Sequence, residues 1–169
     1  LDSSGNVGIG TTNPLDALHI ASVVSTDYRG NVFLQDTTSM AAGVGGQLTF
    51  GGNYTGSGQI TEWSAIQGTK SNSSDDYSGQ IEFKTRKQGY ALQTKMTLDA
   101  DGNVGIGTSS PSTDSILDVQ STTKGVRFPN MTTTQKNAMG DVAGNMVFDT
   151  TLGKMCFNTG SGWETITSS

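Results

Sequence analysis

The stretch LDSSGNVGIGTTNP, Leu1 to Pro14, returns as LDADGNVGIGTSSP, Leu98 to Pro111, with ten of the fourteen positions identical. A strand-and-turn unit used twice, with a long insert between the copies, points to a repetitive, extended β protein instead of a compact enzyme. Beyond the proline the match resumes two residues out of register, where ALHI (17–20) answers ILDV (116–119).

The unit has a physical reading. An Asp followed by a Gly-Asn pair suits a tight turn, because Gly takes positive φ freely and Asn tolerates it. Val7, Gly8, Ile9 and Gly10 then alternate, as do Val104, Gly105, Ile106 and Gly107, so a strand carries β-branched side chains on one face and bare backbone on the other. Glycine weakens a strand unless something must approach closely. A neighbouring polypeptide would create that demand if three chains wound about a common axis, which makes these eight residues the expected trimer interface. Pro14 and Pro111 would end the strands. Two other readings stand beside this one: a hairpin corner in a monomeric β-domain, and a dinucleotide-binding glycine loop. The second lacks the third glycine and the following apolar helix.

Composition supports association. Of 169 residues only 33% are hydrophobic, 23 are Gly, and Leu, Ile, Val and Phe together make just under one fifth. A single chain this lean buries little core. The net charge of −5 and the scattered Lys and Arg argue against a nucleic-acid partner. No run approaches the roughly 18 apolar residues of a membrane helix, and no membrane insertion is expected. The chain opens at Leu1 inside a repeat, without Met, and reads as a piece of a longer protein.

Four segments follow: a first shaft repeat (1–21), a β-rich insert or knob (22–97), a second shaft repeat (98–123) and a C-terminal tip (124–169). In the insert, VFLQ at Val32, GQLTF at Gly46, QITEWSAI at Gln59, GQIEFKTR at Gly79 and YALQTKMTL at Tyr90 read as strands. Ile81, Phe83 and Thr85 oppose Glu82, Lys84 and Arg86 in strict alternation. In the tip, MTTTQKNAM from Met131 predicts a short helix, with Thr132 as cap and Gln135 as its capping-box partner. NMVFD, KMCFN and WETI then form a meander joined by the turns TTLG and TGSG. Three strands are too few to stand alone comfortably, so Trp163 is expected to anchor packing between chains.

The two GNVGIGT-x-x-P units, the GVRFPNMTTTQKNAM segment and the GNMVFDTTLGKMCFNTGSGWETI ending together resemble bacteriophage tail-fibre and related virion-fibre proteins. The resemblance covers both ends of the chain, roughly half of it. It implies an all-β, intertwined homotrimeric fibre with a knob and a helix-plus-meander tip, located in the virion and assembled in the host cytoplasm. Its implied partners are other copies of itself, other virion tail proteins and a host-surface glycan or protein.

Little in the chain suggests catalysis. The one histidine, His19, answers to Asp118 in the other copy, and Cys156 lies between Met155 and Phe157 as a packed strand thiol, so neither a zinc site nor a Cys/His pair is expected. DADGN hints at a calcium loop but has Val104 where that loop needs Gly. No catalytic residue, metal or cofactor is assigned. The expected function is host attachment by a non-enzymatic fibre. A polysaccharide depolymerase with paired carboxylates and a purely structural shaft or collar segment are the alternatives. Trp63 and Tyr90 fall within strand patterns and read as core. Tyr54 and Tyr77 lie in polar loops, where aromatic rings can stack on sugars. With Asn53, Asn72, Asp75 and Asp76 they form the candidate receptor-binding set.

Overall fold

The computed structural model describes residues 1–21 and 32–167; the first ten residues of the expected insert, 22–31, and the last two of the tip, 168–169, lie outside the described residues. The chain is nearly all β and divides into two units, Leu1–Gln120 and Ser121–Ser169.

Each repeat folds the same way. β1 (Val7–Ile9) pairs in parallel with β2 (Leu18–Ile20), placing Val7 opposite Leu18 and Ile9 opposite Ile20. β7 (Val104–Ile106) and β8 (Leu117–Val119) repeat this pairing, with Val104 opposite Leu117. Residues 10–17 connect the first pair and residues 107–116 the second. That longer connection is the two-residue slip in the sequence match. In front of each strand an Asp clamps the turn. Asp2 accepts the Asn6 N–H at 2.8 Å and its Nδ2 at 3.2 Å, and Asp99 accepts the same groups of Asn103 at the same distances. Gly5 and Gly102 hold φ of 86° and 88° there, as the sequence predicts.

The glycine alternation has a different cause from the expected one. A Cβ on Gly105 would stand 2.7 Å from the Thr108 carbonyl oxygen and 3.4 Å from Pro111 Cδ, and one on Gly8 would strike the Thr11 carbonyl. The polypeptide that needs the bare face is therefore the chain's own turn, folding back over its strand. Gly10 and Gly107, at φ of 73° and 79°, meet the carbonyls of Ala21 and Gln120 in the same way.

The insert supplies β3 (Gln47–Asn53), β4 (Ile60–Lys70), β5 (Gly79–Thr85) and β6 (Gln93–Leu98). These are antiparallel neighbours, and β7 and β8 continue them into one six-stranded sheet. The expected boundary at 97/98 thus falls inside β6. The segment at Val32 is not a strand. Val32, Phe33 and Leu34 are all exposed, without alternation, and Asp36 turns the chain by accepting the Thr38 N–H at 2.9 Å. β6 starts at Gln93, not Tyr90, because Lys87 to Tyr90 form a turn closed by the Tyr90 N–H on the Lys87 carbonyl at 3.0 Å.

The register aligns Leu48, Ile66, Phe83, Met96, Ile106 and Val119 in one row across all six strands. It is the opposite face that is closed within the chain. Ala65, Thr69, Glu82 and Thr97 are buried there, whereas Leu48, Ile66, Phe83, Ile106 and Val119 are exposed. Lys84 and Glu82 lie along the polar face as an ion pair at 2.9 Å, with Gln80, Thr94 and Gln67 bonded to them. Burial alone would raise the Glu82 carboxyl, but bonds from Lys84, Thr94 and Gln80 outweigh it and hold the group below its ordinary value.

In the second unit β9 (Asn130–Met131) runs parallel to β10 (Met146–Asp149), followed by antiparallel β11 (Lys154–Asn158) and β12 (Trp163–Thr165). The meander matches the sequence reading; the two-residue β9 was not legible in it. α1 (Thr133–Asn137) is shorter than predicted, with Thr132 as N-cap and the full capping box with Gln135. Val147 and Cys156 form the apolar centre of this unit.

Candidate functional site

The strongest candidate site begins with an irregularity in pairing. Opposite β3 the register of β4 steps from Ser64 to Glu62, so Trp63 is an extra residue without a partner. Such a bulge bends the strand and re-aims its side chain. The Trp63 carbonyl takes the Arg86 N–H at 2.8 Å, and the ring lies over Gly52, where a Cβ would stand 2.8 Å from it. The outer end of the ring thus lies against bare backbone while the residue stays 49% exposed.

Around this ring Tyr54, Ile60, Thr61, Arg86, Gln88 and Gly89 complete a cavity of about 510 Å³. Tyr54 follows β3 and is 59% exposed. Arg86 bonds to Thr61 and forms an ion pair with Glu62 at 2.8 Å. Two aromatic side chains beside a guanidinium held by a carboxylate offer apolar ring faces and fixed donors together. A pyranose ring, with its apolar C–H face and rim of hydroxyls, is complementary to that combination.

Of the other predicted residues only Asn53 stays beside Tyr54; Asn72, Asp75, Asp76 and Tyr77 lie at the far end of β4. The Tyr54 loop precedes β4 and the Tyr77 loop follows it, so β4 sets them roughly 33 Å apart at about 3.3 Å per residue. Asn53 ends β3 and is exposed. Tyr77 projects fully into solvent beside a cavity of about 600 Å³ lined by Lys70, Asp76 and Asp99. Asn72 and Asp76 serve that loop internally. Lys70 Nζ reaches Asn72 Oδ1 at 3.0 Å and Asp76 Oδ1 at 2.6 Å, and Asn72 Nδ2 donates to Asp76 at 3.1 Å. The Lys70 bond, with the Ser78 N–H and Asn72, holds the Asp76 carboxyl well below the usual carboxylate range. Asp75 is exposed in the same loop.

Trp63 and Tyr90 are not core. Both are about half exposed, and Tyr90 instead receives Lys87 Nζ at 5.9 Å from its ring centre. Alternation placed Trp63 inside; no feature of the sequence marks the bulge that turns it out. Arg86 and Gln88 were missed because their relation to Tyr54 depends on how β4 and β5 pair.

The expected interface residues fall in both repeats, where Val7, Ile9 and Ile106 are exposed. His19 and Asp118 explain each other. The first residue after each proline donates its N–H to them, Leu15 to His19 Nδ1 at 3.3 Å and Ser112 to Asp118 at 3.0 Å. Both are loop anchors.

Trp163 contributes inside the second unit. Lys136 Nζ lies 5.8 Å from its ring centre, 3.0 Å from Asp149 Oδ2 and 3.5 Å from Cys156 Sγ. Lys136, Asp149 and Cys156 are all buried. Asp149 also accepts Thr133 Oγ1 at 2.8 Å and the N–H groups of Thr151 and Leu152 at 2.9 and 3.0 Å. Burial pushes the Asp149 carboxyl up, but the Leu152 N–H, Lys136, Thr133 and the Thr151 N–H outweigh it and hold it at about 2. This cluster ties α1 to β10 and β11. Among the described residues no group of three His, Cys, Asp or Glu is placed to hold a metal ion.

Residues 105–169 match a family model described as a phage tail like trimerisation region. The match begins in β7 and runs through the second unit. It supports a phage-tail-like family and self-association as a homotrimer. No curated protein matches the chain.

Proposed function

We propose that this chain is part of a non-enzymatic, trimeric phage tail fibre that attaches to the host surface, and that the cavity of Tyr54, Trp63 and Arg86 binds a surface glycan. The observation that carries this reading is the half-exposed Trp63 ring, against Gly52 and beside Tyr54 and Arg86, in a molecule whose C-terminal stretch is similar to a trimerisation region. Three such sites on one trimer, and several fibres per particle, convert modest single-site affinity into firm attachment.

A depolymerase would need a carboxylic acid kept protonated near neutral pH. The carboxyls with a resolved shift among the described residues are all lowered, each by hydrogen bonds that serve a turn or an ion pair. A structural collar segment would leave the exposed aromatic pair without a role.

The test is binding of the purified chain to an array of bacterial surface polysaccharides. Tyr54→Ala combined with Trp63→Ala should lower binding roughly tenfold or more, since stacked aromatic contacts contribute on the order of 1 kcal/mol each and avidity multiplies the loss. Sedimentation should be unchanged. Undiminished binding by the double variant would remove this cavity from consideration, and shortened glycan chains after incubation would point to the depolymerase.

A further inference from the structure

We propose that the apolar face of the six-stranded sheet is an intersubunit surface, on which copies of this chain pack against one another well beyond the GNVGIGT units. The proposal rests on the trimeric reading above and names the surface that reading needs.

The row of Leu48, Ile66, Phe83, Met96, Ile106 and Val119 is continuous through backbone pairing, one residue from every strand. Leu48 is 51% exposed, and Ile66, Phe83, Ile106 and Val119 lie between 39% and 42%. A sheet with one face in water ordinarily gives that face its polar residues. Here the polar residues have the other face, where Lys84, Glu82, Gln80, Thr94 and Gln67 satisfy one another. The side left open is the one that gains from being covered, and a contiguous apolar patch of this kind marks an interaction surface.

Two observations choose another copy of the chain as its cover. Ile106 and Val119 lie within the stretch that matches the trimerisation region, and the row passes from them without a break to Leu48. The row also carries no charge. When identical faces gather about a three-fold axis, any charge on them is brought close to its own copies, so a neutral aliphatic row suits self-association. An acidic or basic partner would find nothing on it to pair with.

Sedimentation velocity of the whole chain tests this, with Ile66→Asp and Phe83→Asp. Both side chains are exposed in the single chain, so each variant should keep its β circular dichroism while losing the trimer at concentrations where the parent holds it. Ile66→Cys gives a second readout that does not depend on a charged variant folding. The introduced thiol should label roughly tenfold or more slowly in the trimer than in denaturant, with the buried Cys156 as internal reference. If the Asp variants remain trimers with unchanged melting temperature, or the thiol introduced at position 66 labels at the denatured rate in a trimeric protein, the face is not intersubunit and the trimer forms elsewhere. A monomeric parent would overturn the trimeric reading itself.

Discussion

The two copies of the GNVGIGT unit share their turn clamp, their positive-φ glycines and their parallel strand pairing, yet they are buried differently. Asn103 is 8% exposed where Asn6 is half-buried, and Val104 is half-buried where Val7 is 39% exposed. The cause is a neighbour. β7 has β6 on its free side, with Leu98 opposite Val104 and Met96 opposite Ile106, whereas β1 pairs only with β2 among the described residues. Local structure thus follows from fourteen residues, while the stability each copy contributes follows from what lies beside it.

The largest effect should come from filling the tightest glycine in each copy. Gly107→Val and Gly10→Val each force a β-branched residue into positive φ against a backbone carbonyl, a local cost of about 3 kcal/mol or more. Only Gly107 adjoins the six-stranded sheet, directly after β7, so its variant should lower the global melting temperature strongly. Gly10→Val should mainly speed hydrogen exchange over residues 7–20. Equal drops in melting temperature would break the comparison.

The clamp carboxylates should give the next effect. Asn6 N–H holds the Asp2 carboxyl below its ordinary value; at Asp99 burial acts upward but the Asn103 bonds prevail. A lowered folded pKa contributes stability that is present above the unfolded value near 3.8 and is lost as pH falls through the folded one. Asp99→Ala should therefore destabilise the first unit at pH 7 and flatten its loss of stability in acid, and Asp2→Ala should do so less. Asp149 sets a reference outside both copies. The second unit should lose its contribution as pH falls from 3.8 towards about 2. Melting curves across this range, followed at the aromatic residues of each unit, check both statements.

The smallest effect is expected from Cys156→Ser, which replaces a soft, fully buried atom beside Lys136 with a hydroxyl and should cost about 1–2 kcal/mol. Hydrogen exchange in both repeat copies should stay as in the parent. Native Cys156 should label slowly with a thiol reagent and quickly once denatured; fast native labelling would show the thiol is not sealed.

Much of the fold was legible because it depends on near neighbours. Thr132 and Gln135 are three residues apart and find each other in any chain that turns there. The β10–β11–β12 meander followed from alternation and glycine turns. The candidate site was harder. Tyr54 could be picked out by its polar loop, but Trp63 and Arg86 reach it only through a bulge and a strand pairing more than twenty residues apart. Tyr77, with the same sequence signature as Tyr54, stands at the other end of β4.

The sequence by itself determined the repeat, its Asp-clamped turns, the two-residue slip between its copies and the capped helix, because each involves groups within about a dozen residues whose geometry backbone sterics prescribe. Only the tertiary structure decided which face of the sheet is closed. Alternation states that Ile81 and Phe83 oppose Glu82 and Lys84, but it does not say which side meets protein. Here the chain's own turn and an internally paired polar network close the Glu82 side, and the apolar side is left open.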